Sequence, residues 1–300
     1  MTEQLPSIPC YLNGDFTPLN EARVSVMDRG FVFGDGVYEV VPVYRGQPFR
    51  FEQHMARLAR SLRELRIPNP LNPQQWRGLV QELVSRFAAH TGTPSNQGDQ
   101  LIYIQVTRGV AMRDHVMPAD ITPTLFAMVN TMRTPSVEQF AQGVACVTAD
   151  DFRWQKAHIK STSLLGAVFA RQISFDAGAI ETVMFRDDFL SEAAASNVWI
   201  VQDGKVIGSP KDNLVLEGIR YGLMDEMCQA IGVPFELRRI QRAEVLEADE
   251  LLLTSATKEV LSITTLDGQP VGHGAHQGRR GPISARLHAA YQNAKQLLAA

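Results

Sequence analysis

The feature that most limits the fold of this 300-residue chain is a break in its hydrophobic pattern at residues 132–136. On each side, short apolar runs typical of strands are mixed with longer stretches whose apolar residues recur every three or four positions, as in helices. The segment at the break, which includes Arg133-Thr134-Pro135, shows neither pattern and predicts a linker. We therefore expect two domains, residues 1–131 and 137–300, joined by this linker, each long enough to form a core.

Strands and helices follow one another irregularly in both halves, which does not match a repeated strand–helix–strand order. The first half predicts hairpins at 13–15 and 45–46, helices near 51–65 and 73–90, and strands at 101–109 and 123–130. The second half predicts strands at GVACVTAD, ETVMFRD, ELLLTSA and EVLSITT, a hairpin at 203–204, and helices near 163–177, after 218 and at the C-terminal end. The predicted fold class is α/β to α+β.

The charge and cysteine content exclude several classes of protein. A net charge of -3 and the lack of basic clusters mixed with aromatic residues predict no nucleic-acid partner. Cys10, Cys146 and Cys228 are isolated, which disfavours a disulfide scaffold or a zinc ribbon and suits a reducing compartment. No signal-peptide pattern and no apolar run of about 20 residues is present, so we expect a cytoplasmic protein without a membrane partner.

Common catalytic motifs are absent or occur in the wrong context. Gly34-Asp35-Gly36 begins like a dinucleotide fingerprint, but it lacks the third glycine and continues into a predicted strand. No P-loop or GxSxG motif occurs, and the seven histidines are dispersed without metal-ligand spacing, so no metal is expected.

Lysine is rare in this chain, and its rarity narrows the search for a reactive amine. The six lysines all follow residue 155, and Lys160 lies in HIKSTSLLG, where an extended segment meets a predicted helix. Its sequence neighbours include the apolar residues Ile159, Leu164, Leu165, Val168 and Phe169. Burial among them would favour a neutral amine able to form an imine. The alternative, a lysine at a helix end with its ammonium in solvent, is the one that the local sequence by itself favours.

Five segments nevertheless occur in an order that resembles one family. They are DRGFVFGDGVYEVVPVY, FRFEQHMARL, HIKSTSLLG, LSEAAASNVWIV and TSATKEV. This order resembles the fold-type IV pyridoxal-phosphate enzymes, which include branched-chain aminotransferases, D-amino-acid aminotransferases and aminodeoxychorismate lyases. The resemblance covers about residues 8–292 and implies a two-domain fold with pyridoxal 5'-phosphate bound between the domains. It also implies that Lys160 is the Schiff-base lysine.

The resemblance assigns two further side chains to the cofactor. Glu192 in SEAAASN resembles the carboxylate that bonds to the pyridine nitrogen and keeps the ring protonated. Arg57 in EQHMARL resembles the arginine that binds the cofactor phosphate, a task that suits a planar guanidinium. Without the resemblance, Glu192 would be interpreted as a solvated glutamate at a strand end, and Arg57 as part of a solvated helix face.

Two loops are expected to complete the phosphate site. Ile219 and Arg220 precede a helix whose N-terminal amides suit an anion, and Ser255 and Ala256 lie in a second loop. Relatives often carry threonine at position 220 and a hydroxyl at position 256, where this chain has arginine and alanine. The phosphate contacts at these positions are therefore assigned to the backbone amides. Of the hydroxyls in the second loop, Ser255 is favoured over Thr257.

The segment YIQVTRGVAMRDHVMP resembles the D-amino-acid aminotransferases most closely. Their RxH pair corresponds to Arg113 and His115, which with Tyr38 would bind the substrate carboxylate. In relatives this loop reaches the neighbouring subunit, so the resemblance implies a homodimer. Pro42 stands where relatives carry lysine, so the rim of the pocket is expected to differ. The alternative is an ordinary surface loop.

The resulting hypothesis is pyridoxal-phosphate-dependent transamination of D-amino acids, with D-alanine and 2-oxoglutarate giving pyruvate and D-glutamate. Amino acids and 2-oxo acids are thus the expected small-molecule partners. An aminodeoxychorismate lyase, a branched-chain transaminase or an (R)-amine transaminase are alternatives of the same fold. A binding protein that retains the fold without the cofactor is disfavoured, because Lys160 and Glu192 are both present.

Overall fold

The computed structural model describes residues 5–297. Residues 1–4 and 298–300, which the predicted domains include, lie outside this range. Within it the chain forms two compact units. The first runs to Met132 and also contains Ile159–Leu164, and the second contains Arg133–His158 and the chain from Leu165 onward. Lys160 therefore packs with the first unit, although it lies far along the chain from the rest of it.

The first unit is built on an antiparallel six-stranded sheet with the order β2-β1-β6-β5-β3-β4. Its strands are β1 (Pro9–Leu12), β2 (Asp15–Pro18), β3 (Gly36–Tyr44), β4 (Gln47–Pro48), β5 (Gln100–Thr107) and β6 (Thr124–Thr131). Its helices are α1 (Arg29–Phe33), α2 (Phe51–Glu64) and α3 (Pro73–Thr91). Apolar residues of β3, β5 and β6 form one core with the buried faces of α2 and α3.

The local sequence explains how these elements begin and end. Asn72 caps α3 in a capping box with Gln75, and Pro73 stands at the first helical position. Gly34 ends α1 with φ of 66°, a conformation that glycine adopts without strain. Gly36 then opens β3, where an added Cβ would meet the Val106 carbonyl oxygen at 2.8 Å. The Gly34–Gly36 stretch thus joins a short helix to a strand, which agrees with the rejection of a dinucleotide site.

The second unit contains a mixed nine-stranded sheet with the order β12-β11-β10-β13-β14-β7-β8-β9, and β15 pairs with β14. Its strands are β7 (Val144–Asp150), β8 (Glu181–Arg186), β9 (Phe189–Ala193), β10 (Asn197–Gln202), β11 (Lys205–Gly208), β12 (Phe235–Leu237), β13 (Glu250–Ser255), β14 (Glu259–Leu266) and β15 (Gln269–Pro270). Its helices are α4 (Val137–Gln142), α5 (Leu165–Asp176), α6 (Arg220–Ala230), α7 (Arg242–Leu246) and α8 (Pro282–Gln296). β7 pairs in parallel with both β8 and β14, and the sheet carries the core of this unit.

The mixed fold class is confirmed, and the predicted hairpins at 13–15, 45–46 and 203–204 are present. Sequence reasoning missed the short helices α1, α4 and α7, because five or six residues do not establish a helical period. None of the helices within residues 5–297 is long and apolar enough to cross a membrane.

Candidate active site

Lys160 is held in an irregular segment by its backbone. Its carbonyl oxygen accepts a hydrogen bond from the Tyr38 amide at 3.0 Å, and its own amide donates to the Ser61 hydroxyl at 3.2 Å. The next residue, Ser161, forms an antiparallel bridge to Val37 in β3. The ammonium nitrogen lies 3.9 Å from the centre of the Tyr38 ring. The structure thus brings together two of the residues predicted to act on substrate.

The apolar environment predicted for Lys160 from its sequence neighbours is wrong. Ile159 is buried, but four other neighbours are exposed by 39% to 69%: Leu164, Leu165, Val168 and Phe169. The reason is that α5 buries only Ala170 and Ser174 among the described residues, so its apolar side chains face outward. The Lys160 amine instead contacts an aromatic ring of β3, that of Tyr38.

Arg57 lies on a buried face of α2 and not on a solvated one. Its Nε and Nη2 donate to the two carboxylate oxygens of Glu39 at 2.7 and 2.8 Å, and His54 Nδ1 lies 2.7 Å from Glu39 Oε2. Burial would raise the pKa of Glu39, but the Arg57 guanidinium and His54 outweigh it and hold that pKa well below its usual range. Ser61 lies one helical turn beyond Arg57, so the same face of α2 also fixes the Lys160 backbone.

Glu192 lies near the end of β9 and is almost fully buried, so it is not a solvated glutamate. Its Oε1 accepts a hydrogen bond from Arg153 Nη1 at 2.6 Å, and the same guanidinium donates to both oxygens of Asp151. Burial raises the pKa of Glu192. The Arg153 guanidinium acts to lower that pKa, and the nearby charge of Asp151 acts to raise it further. For Asp151, burial also acts upward, but the Arg153 hydrogen bonds and charge outweigh it and lower its pKa.

Asn197 connects Glu192 to the loop before α6. Its side-chain amide donates to Glu192 Oε2 and to the Leu216 carbonyl oxygen, both at 3.0 Å. The Leu216 amide donates to the same carboxylate oxygen at 3.3 Å. At Gly218 an added Cβ would lie 2.1 Å from Asn197 Oδ1, so a larger residue would displace the Asn197 side chain.

The two loops predicted to bind phosphate meet in the second unit. Arg220 Nε and Nη2 donate to the carbonyl oxygens of Ser255 and Ala256 at 3.2 and 3.3 Å. The Arg220 guanidinium also lies 5.1 Å from the centre of the Tyr291 ring. This arginine is buried, and its guanidinium holds one loop against the other from the first residue of α6. Ile219 precedes α6 and is half-buried.

The RxH loop lies on the surface of the first unit. The Arg113 guanidinium lies 5.4 Å from the centre of the Phe33 ring, and the His115 ring lies 5.5 Å from it. Within residues 5–297, neither side chain forms a hydrogen bond with Tyr38 or Lys160. Tyr38 stacks instead on Tyr103 at 5.8 Å, and burial raises the pKa of Tyr103 to about 12.

Sequence reasoning missed three side chains that hold the predicted ones in place. They are Glu39 for Arg57, and Arg153 and Asn197 for Glu192. Glu39 and Asn197 lie inside quoted segments and Arg153 lies between two of them, but nothing in the sequence indicates which residue pairs with which. Among the described residues, no cluster of His, Cys, Asp and Glu side chains is arranged for a metal ion.

Each unit by itself presents groups that suit one part of a phosphorylated aldehyde with a basic ring nitrogen. Lys160 offers an amine for a carbonyl carbon, Arg57 offers a guanidinium for a phosphate, and Glu192 offers a buried carboxylate for a protonated ring nitrogen. The N-terminus of α6 adds the positive end of a helix dipole, which suits an anion.

Comparison with known proteins gives a consistent result. Residues 36–266 match the family model for amino-transferase class IV. The chain is 35% identical over 281 residues to the D-alanine aminotransferase of Bacillus licheniformis, which covers 94% of this chain and 95% of that one. The branched-chain amino acid aminotransferase from Escherichia coli has a TM-score of 0.83 at 19% identity, over 96% of this chain and 94% of that one. A fold IV transaminase from Curtobacterium pusillum has a TM-score of 0.81 at 25% identity, over 94% and 92%.

Proposed function

As this chain belongs to the class IV aminotransferases, we propose that it uses pyridoxal 5'-phosphate to transfer the amino group of D-amino acids, with D-alanine and 2-oxoglutarate giving pyruvate and D-glutamate. The D-alanine aminotransferase of Bacillus licheniformis is similar in sequence to almost the whole of this chain, which supports this substrate class. The branched-chain enzyme named above is only 19% identical and shares the fold. The geometric observation that supports the proposal is the direct contact of the Lys160 amine with the Tyr38 ring, 3.9 Å from nitrogen to ring centre, because one small amino acid beside them can reach both.

Five parts of the chain are proposed to hold the cofactor. Arg57 would bind the phosphate, with help from the amides at Ile219 and Arg220 and from Ser255 and Ala256. Glu192 would hold a proton on the pyridine nitrogen, in a position fixed by Arg153. Lys160 would provide the amine for covalent attachment. When bound, the cofactor supplies an electrophilic carbon and a conjugated ring that withdraws electrons from the substrate.

The remaining residues are proposed to orient the substrate and move its proton. Tyr38, Arg113 and His115 would bind the substrate carboxylate, since a phenol, a guanidinium and an imidazole together fix its orientation. Lys160 Nζ would remove the proton from the substrate α-carbon and return it at the carbon that was the cofactor's aldehyde carbon, acting first as base and then as acid. The face on which Lys160 lies would decide which enantiomer reacts.

We also propose that the enzyme is a cytoplasmic homodimer. Large apolar side chains near the RxH loop are exposed, including Phe31 by 72% and Met112 by 83%. Exposed apolar groups of this size on neighbouring segments are typical of protein interfaces. The three cysteines are buried and unpaired, which suits a reducing compartment.

The test is a substrate screen of the purified enzyme loaded with pyridoxal 5'-phosphate. We expect pyruvate from D-alanine and 2-oxoglutarate, and little reaction with L-leucine. Lys160→Ala should lower turnover by about 10³-fold or more, because it removes both the covalent attachment and the base. A preference for L-leucine would refute the D-specific assignment. Aminobenzoate from aminodeoxychorismate, without pyruvate from D-alanine, would identify a lyase.

A further inference from the structure

Arg29 is a buried arginine that reaches from α1 to the RxH loop. Its Nη1 donates to the carbonyl oxygen of Asp114 at 2.5 Å, and Asp114 stands between Arg113 and His115 in the chain. Its backbone amide donates to the Gly109 carbonyl oxygen at 2.9 Å, where the chain leaves β5. The same residue therefore fixes the start of the loop and its centre. A buried guanidinium with such contacts is not a solvated surface charge.

A carboxylate holds Arg29 in this orientation. Arg29 Nε donates to Asp35 Oδ2 at 2.8 Å, and Asp35 also accepts two hydrogen bonds from Arg108, at 2.7 and 3.0 Å. Arg108 is itself fixed, because it donates to the carbonyl oxygens of Leu65 and Arg66 after α2. Asp35 is thus a rigid acceptor that directs the outer nitrogens of Arg29 toward Asp114.

The Phe33 ring lies close to this anchor and to both side chains of the RxH pair. The Arg29 guanidinium lies 4.8 Å from the ring centre, the Arg113 guanidinium 5.4 Å and the His115 ring 5.5 Å. Arg29 and Phe33 are four residues apart on α1, so both point to the same side of the helix. Cations favour the face of an aromatic ring, which restricts Arg113 although it is exposed.

We propose that Arg29 is a positioning residue for the carboxylate-binding pair Arg113 and His115, acting through the Asp114 carbonyl and the Phe33 ring. This inference rests on the proposed function, in which that pair binds the carboxylate of a D-amino acid. Long exposed side chains lose much conformational freedom when they bind a ligand. An anchor that fixes the backbone between them reduces this loss and makes both donors available to one carboxylate.

The test compares Arg29→Met with wild-type enzyme in steady-state kinetics. Methionine keeps an apolar stem beside Phe33 and leaves Asp35 paired with Arg108, so the fold is expected to persist. We expect KM for D-alanine to rise about 10- to 100-fold, the value for one charged hydrogen bond, while kcat changes by less than about threefold. Arg29→Lys should restore part of the affinity. The matched control is Arg23→Met, since Arg23 is an exposed arginine that also donates to backbone carbonyls.

A second measurement does not depend on substrate. Hydrogen exchange of the backbone amides between residues 110 and 117 should become faster in Arg29→Met and stay unchanged in Arg23→Met. Phe33→Leu provides a variant that leaves the ion pairs intact and should also raise KM for D-alanine. If the wild-type enzyme is active and Arg29→Met has the same KM, this inference alone is overturned. A fall in kcat at constant KM in Arg29→Met would have the same consequence. A wild-type enzyme without D-alanine turnover would refute the proposed function and this inference together.

Discussion

Replacing Arg153 with methionine is expected to move the acid limb of the kcat–pH profile to higher pH. In its proposed role Glu192 must be ionised to hold a proton on the cofactor ring, and burial already raises its pKa. Arg153 is the cation that opposes this rise, through a hydrogen bond of 2.6 Å to Glu192 Oε1. Without it, Glu192 takes up a proton at a higher pH, so the enzyme loses activity earlier as the solution is acidified.

The size of the shift follows from the contact that is lost. A hydrogen bond to a charged group contributes about 1.5–3 kcal/mol, and a pKa unit corresponds to about 1.4 kcal/mol, so the limb should move by about 1–2 units. Removing one partner of a buried ion pair costs about 3–5 kcal/mol of folding stability. We expect the lower end here, since Asp151 keeps Arg186 at 3.2 Å and Glu192 keeps Asn197 at 3.0 Å.

The assay is pyruvate release from D-alanine at saturating substrate between about pH 5 and 9. The control is Arg186→Met, because Arg186 pairs with Asp151 but not with Glu192. Both variants should lower the urea midpoint of unfolding, but only Arg153→Met should move the acid limb. A uniform fall in kcat at every pH, with the limb unmoved, would refute the reasoning and leave Arg153 with a purely structural role.

Two further predictions concern stability and assembly. Burial would raise the pKa of Asp35, but Arg108 and Arg29 outweigh the effect of burial and lower that pKa. The ion pairs of Asp35 therefore stabilise the fold fully above the unfolded-state pKa of about 3.9, and this stabilisation is lost as the pH falls below that value. The difference in free energy of unfolding between wild type and Asp35→Asn should therefore shrink between pH 6 and 3, and a constant difference would contradict this. Phe31 is 72% exposed near the RxH loop, where the dimer interface is proposed. Phe31→Asp should lower the mass measured by light scattering from dimer to monomer, and an unchanged mass would exclude this face from the interface.

Local patterns in the sequence account for most of the secondary structure. The helices α2 and α3 and the hairpin strands have clear periods and turn residues, and these decide structure over short distances. The predicted environment of Lys160 is wrong because its apolar neighbours in sequence are not its neighbours in space. Its actual contacts come from Tyr38 and Ser61, about 100 residues or more away in the chain. Contacts over such separations depend on the packing of β3 and α2, which no local pattern contains.

Contacts between residues far apart in the chain also explain why the pairing of the charged side chains could not be predicted. The geometry of these contacts explains why the cations in them are arginines. Arg153 joins Asp151 to Glu192, which lies 39 residues after Arg153 in the chain. Arg108 joins Asp35 to two carbonyl groups after α2. Each link needs one cation that reaches two or more acceptors in fixed directions, which a planar guanidinium does and a lysine ammonium does less well. Only six of the 29 basic residues are lysines. In both of these links the bridging side chain is an arginine, whereas Lys160 is proposed to provide a reactive amine. Arg153→Lys should accordingly bond to Asp151 or to Glu192 but not to both, and should reproduce part of the shifted acid limb of Arg153→Met.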